Sequence, residues 1–151
     1  MKQIFIKKSG NYKYTLDKAG TELEIIGRFW LKGDDHLDLN LTLTHAAPHT
    51  TARVSLKAVV EGRGVANING TIIVKKDAQN TNSFLEERVL LLGPKARATA
   101  IPNLEIRCDD VKCSHAATIG KPNDDEIFYL QSRGLSKLKA TRLLAQGFLF
   151  S

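Results

Sequence analysis

The sequence predicts a mainly β body followed by a C-terminal helical hairpin. Two patterns carry that reading. Through the first two-thirds of the chain, apolar and polar residues alternate at period two, and clusters of Gly, Asn and Asp separate the runs. After Asn123 the apolar spacing becomes helical, and a capping residue stands before each segment. A chain of 151 residues holds one domain with a real core. The expected division is therefore a β core over residues 1–122 and a hairpin over 123–151, forming one compact unit.

Taken in order, the first strands are expected at Tyr12–Leu16 and Glu22–Leu31, the second with Leu23, Ile25 and Phe29 on one face. Beyond Gly33-Asp34-Asp35, four leucines (37, 39, 41 and 43) alternate with Asp38, Asn40 and Thr42. The pattern returns after Ala47-Pro48-His49 with Val54, Leu56, Ala58 and Val60. Asn67-Ile68-Asn69-Gly70 reads as a turn leading into a strand at Gly70–Val74. Further runs follow at Val89–Leu92 and Leu104–Cys108, with turns at 77–82 and Gly93-Pro94. Many short strands with close turns fit a sandwich or a coiled solenoid, and no sharp repeat decides between them.

The hairpin has its own logic. Asn123 with Glu126 three residues later forms a capping-box pattern for a helix over about 124–132, with Ile127, Leu130 and Phe128 apolar and Gly134 as its stop. Ser136 caps a second helix whose apolar stripe is expected from Leu138, Leu143, Leu144 and Phe148.

Composition removes several functions. No apolar run approaches the roughly 20 residues of a membrane helix. The start, Met1 to Lys8, alternates instead of forming a secretory apolar core, so the expected compartment is the cytoplasm. Two cysteines, Cys108 and Cys113, are too few for a disulfide framework. The net charge of +6 is scattered and interrupted by acids, with no nucleic-acid-binding motif around it. No phosphate loop, nucleophile elbow or Ser/His/Asp order is present, which argues against a self-sufficient enzyme.

The candidate chemistry lies in Asn103–Gly120. In an extended strand Cys113 and His115, two apart, share a face, and a thiolate and an imidazole suit iron or zinc. Two ligands do not close a site, so a partner subunit would have to complete it. Cys108 joins them only if the chain bends at Asp109-Asp110. From the residues alone, a packed thiol and a hydrogen-bonded histidine are the favoured readings over a ligand pair. His45 and His49 flank Pro48, which prevents a helical metal pair, and His36 sits in a turn. Glu86-Glu87 and Asp124-Asp125-Glu126 read as solvated or capping carboxylates.

The run Asp109-Asp110-Val111-Lys112-Cys113-Ser114-His115, then Ala117-Thr118-Ile119-Gly120, then Phe128-Tyr129-Leu130-Gln131-Ser132-Arg133-Gly134 resembles the C-terminal signature of the SufB/SufD family, and of SufD-type subunits in particular. These are scaffold proteins of the SUF iron–sulfur cluster assembly machinery. The resemblance extends over roughly residues 44–148. It implies a right-handed parallel β-helix ending in a helical hairpin that docks a SufC-like ABC ATPase. The residues assigned to that dock are Phe128, Tyr129, Arg133, Leu143 and Phe148. It also implies a SufB-like partner or a homodimer, with Cys113 and His115 at the subunit interface as ligands of iron or a transient iron–sulfur cluster. No tightly bound cofactor and no catalysis by the scaffold itself are expected. The alternative expectation is a stand-alone β-helix oligomerisation module without assembly activity.

Overall fold

The computed structural model describes all 151 residues. Nine strands and two helices follow in order: β1 Lys2–Ile6, β2 Gly10–Leu16, β3 Glu22–Leu31, β4 His36–His45, β5 Thr51–Val60, β6 Val65–Val74, β7 Thr81–Leu91, β8 Arg97–Ile106, β9 Val111–Gly120, α1 Asp124–Ser132 and α2 Lys137–Phe150. Odd strands form one sheet in the order β1-β3-β5-β7-β9, and even strands form a second in the order β2-β4-β6-β8. Every pairing is parallel. Alternation between two parallel sheets makes the chain a β-solenoid of about four turns, which settles the choice between sandwich and solenoid.

The period-two pattern becomes the core because each coil stacks its inward residues on those of the coil before. Leu23 pairs with Ala52, Ala52 with Ser83 and Ser83 with Cys113. These steps are unequal in length, which is why no sharp repeat appears in the sequence. Leu39, Leu41, Leu43, Val54, Leu56, Ile68, Ile72 and Leu85 are all sealed inside one continuous core. Burial of side chains of this size contributes about 1.5–3 kcal/mol each.

Several expectations are corrected. Asn67–Gly70 is not a turn but the middle of β6, where Asn67 bonds Asp38 at 2.9 Å and Asn69 accepts from Asn103 at 3.1 Å across the solvent face. Side-chain bonds to the neighbouring coils, in register at Asp38 and two residues off register at Asn103, hold these turn-prone residues in a strand. β7 begins at Thr81, well before the expected Val89, and β8 runs from Arg97 through Pro102 to Ile106, leaving Cys108 in the turn beyond it. Pro102 is tolerated because β8 is the edge of its sheet.

In α1 the Asn123 side chain accepts from the amides of Asp125 (2.8 Å) and Glu126 (3.4 Å); Gly134, at φ +99°, then reverses the chain. α2 lies on the outer face of the odd-strand sheet, packing Ala145 and Leu149 against Val59 and Leu90, with Trp30, Leu92 and Phe148 at the margin. Its buried residues are Ala140, Ala145 and Leu149, so the expected stripe of Leu138 and Leu143 is mispositioned: both are exposed. Small residues allow the helix backbone to approach the sheet closely. The Lys57 ammonium, almost fully buried, donates to the Phe148 carbonyl (3.3 Å) and the Ser151 carbonyl (2.8 Å), satisfying carbonyls at the helix C-terminus.

Candidate functional site at the open end of the solenoid

β9 is the last strand of its sheet and β8 the last of the other, so the inward residues of this coil have no coil above them. On β9 the pleat sends Cys113, His115, Ala117 and Ile119 to the same side as the core residues Ser83, Leu85, Glu87 and Val89 that they pair with. Cys113 is half-buried, whereas His115, Ala117 and Ile119 are exposed. Across from them Ala98, Ala100, Pro102 and Leu104 of β8 are each half-buried. The end of the solenoid is thus an open apolar rung with a thiol and an imidazole at one side.

The expected shared face of Cys113 and His115 is therefore present. The chain also bends at Asp109-Asp110, so Cys108 and Cys113 are both free thiols packed against the same end of the core. Burial pushes the Cys113 thiol up from its ordinary value; the Ser83 amide opposes that, and the nearby Cys108 adds to it. Cys113 is accordingly a protonated, packed thiol in this state. No three His, Cys, Asp or Glu side chains converge closely enough to hold a metal ion.

Beneath the rim runs a polar seam that sequence reading missed. His45 is sealed inside, with Nδ1 2.7 Å from Thr50 Oγ1 and Nε2 3.0 Å from Ser83 Oγ. Thr50 Oγ1 lies 3.3 Å from Thr81 Oγ1, and each hydroxyl donates to a turn carbonyl, of Ala47 and Ala78 respectively. Burial lowers the His45 pKa from 6.5 to about 4, so the ring is neutral. His49, by contrast, occupies an exposed corner at φ +57°.

Glu87 corrects a second expectation. It is not solvated: it is completely buried, and neither carboxylate oxygen has a hydrogen-bond partner. A Cβ on Gly70 would stand 2.4 Å from Glu87 Oε1, so the carboxyl occupies the space this glycine leaves. Burial raises the Glu87 pKa from 4.5 to about 7, opposed by a smaller pull from the Gly70 backbone. The signal was available, since Ser83, Leu85, Glu87 and Val89 alternate, but two adjacent acids read as surface.

The residues expected to dock a partner are split by the fold. Phe128 (73% exposed), Tyr129 (59%) and Leu143 (49%) face solvent, as does Arg133 at the end of α1. Phe148 instead packs on the body, with the Arg88 guanidinium 5.1 Å and the Lys57 ammonium 5.8 Å from its ring centre.

Residues 7–148 match the family model described as "SUF system FeS cluster assembly, SufBD core domain". The chain belongs to the SufBD family of iron–sulfur cluster assembly proteins. It is 36% identical over 138 residues to the SufBD family protein slr0076 of Synechocystis, a match covering 91% of this chain and 30% of that protein. It is 31% identical over 151 residues to the SufBD family protein ML0594 of Mycobacterium leprae, covering 95% of this chain and 38% of that one. The Rv1462 family protein of Mycobacterium tuberculosis is 32% identical over 138 residues, with 86% and 35% covered. This SufBD chain thus spans about a third of the length of these relatives. No helix in it is long and apolar enough to cross a membrane.

Proposed function

We propose that this SufBD chain is a SufD-like, non-catalytic scaffold subunit on which iron–sulfur clusters are built in the cytoplasm. The observation that carries the proposal is the open solenoid end, where Cys113 and His115 face the same uncovered rung. One thiol and one imidazole make half a ligand set, and a second scaffold subunit seated on β8 and β9 would supply the other half while covering the exposed apolar rung. That subunit is a SufB-like partner or a second copy of this chain. The cluster is cargo, assembled there and passed on.

The exposed face of the hairpin, Phe128, Tyr129, Arg133 and Leu143, is the dock for a SufC-like ABC ATPase; Phe148 supports it from beneath. Nucleotide-driven pairing of two such ATPases would displace the scaffold subunits they carry and so alter the shared end. The competing reading, a simple oligomerisation module, uses the same open end without the thiol or the imidazole.

The test is anaerobic cluster reconstitution with the ATPase and partner subunit present. His115→Ala is expected to lower cluster formation at least tenfold with unchanged thermal stability, because an exposed side chain contributes little to folding. Unchanged formation in His115→Ala and Cys113→Ser, with oligomers intact, would leave the oligomerisation module as the function.

A further inference from the structure

The interior carboxyl of Glu87 has no side-chain partner, and the one polar group that bears on it is the Gly70 backbone, whose pull is weaker than the effect of burial. On its own strand it is flanked by Leu85 and Val89; its register partners are Leu56 on β5 and Ala117 on β9. From the facing sheet Gly70 of β6 approaches it, with Leu41 of β4 and Pro102 of β8 as the partners of Gly70. No titratable or charged side chain is among these. A carboxyl in such a place is stable when protonated and strongly disfavoured when ionised.

Its position decides which way the charge would go. Toward the N-terminal end two further coils of packed core separate Glu87 from solvent, through Leu56 and Gly27 on its own sheet. Toward the other end a single rung covers it, made of Ala117, already exposed, and Pro102, half-buried. Ala117 is small, and Pro102 has no amide hydrogen to lock its strand at that point. Neither rung residue is held by a strand beyond it.

We propose that Glu87 makes the terminal rung a pH-sensitive gate: protonated, it keeps β8 and β9 closed over the core; ionised, it draws water in between Ala117 and Pro102 and releases that rung. The strand that moves carries Cys113 and His115, so loss of the Glu87 proton and displacement of the rim ligands become one event. Any subunit covering this end would seal Glu87 further from water and would favour its protonated form.

The sign follows from linkage. The closed rung holds its proton up to about pH 7, whereas an open, solvated carboxyl loses it near 4.5. Opening is therefore suppressed in acid, increases up to tenfold per pH unit between those values, and levels off above neutrality.

The experiment is hydrogen exchange by mass spectrometry on the isolated chain between pH 5 and 8, corrected for intrinsic exchange rates. Peptides from β8 and β9 should lose protection by roughly 100-fold from pH 5 to pH 7.5, then change no further. Those from β4 to β6 should change much less. Glu87→Gln should abolish the pH-dependent component in β8 and β9. A β9 profile that is flat in the wild type, or that falls in parallel with β4 to β6, overturns the gate. The wild-type comparison between strands stands alone if Glu87→Gln does not fold. Because no ATPase or partner subunit is present, failure here leaves the scaffold reading untouched.

Discussion

Two buried groups pull the stability of this solenoid in opposite directions, and replacing one should reveal the other. His45 is held neutral to about pH 4, against 6.5 when solvated; unfolding in acid therefore takes up a proton, and stability falls as pH drops from 6.5 to 4. Glu87 is held protonated to about pH 7, against 4.5 when solvated; unfolding releases that proton, and stability falls as pH rises from 4.5 to 7. Each pH unit of separation is worth about 1.4 kcal/mol, so either group contributes about 3 kcal/mol over its own window. Between pH 4.5 and 6.5 the two slopes cancel, and the wild type should be nearly flat. In Glu87→Gln the His45 slope stands alone, so the variant should gain about 1.4 kcal/mol per pH unit from 4.5 to 6.5. It should match the wild type near pH 4.5 and exceed it by about 3 kcal/mol at pH 7.5. Urea unfolding at six pH values measures both curves, and their difference isolates Glu87 because every other group is common to them. Parallel curves would mean that Glu87 is hydrated or paired, and would refute the reasoning.

Other substitutions test other parts of the fold. His49, at φ +57°, shares its left-handed conformation with Gly20 and Asn80 at equivalent corners, so His49→Gly should stabilise by about 0.5 kcal/mol in the same urea assay. Ala145 is sealed between α2 and the sheet, beside Val59 and Leu90. Ala145→Leu overfills that contact and should cost about 1–3 kcal/mol, with faster exchange of α2 amides than of β5 amides.

The legible part of the fold was what the pleat writes directly. The leucines of β4 alternate cleanly because that strand has one core face and one solvent face, and the inward residues of β5 keep the same period although α2 covers its outer face at Lys57 and Val59. Both helices were legible from Asn123, Ser136 and Gly134, which act on their own backbone neighbours. What stayed hidden depends on the coils above and below. Asn67 and Asn69 look like turn residues until their ladders with Asp38 and Asn103 are seen. Ala140 and Ala145 carry no strong hydrophobic signal, yet both are fully buried, and at Ala145, packed with Val59 and Leu90, closeness to the sheet matters more than side-chain size. At the candidate site, Cys113 and His115 were visible through their spacing and family signature. Glu87 and His45 were not: each keeps the inward phase of its strand, but an acid beside Glu86 and a histidine at a strand end read as surface residues.

The same alternation that builds the core also prepares the site. Had β9 been covered by another coil, Cys113 and His115 would lie among the core residues, as Ser83 and Leu85 do one coil earlier. Ending the stack at β9 leaves the inward face of a strand at the surface, still held in register by β7. Such an edge is a liability in an isolated protein, since unpaired strand groups and half-buried Ala98, Ala100 and Leu104 invite association. Here it also gives geometric definition: residues two apart on a paired strand are fixed in spacing and direction, which a loop would not provide. Under the proposed function, a rung of this kind is where half of a ligand set shared between two chains would be presented. The unpartnered Glu87 directly beneath it then ties the closure of that rung to a proton.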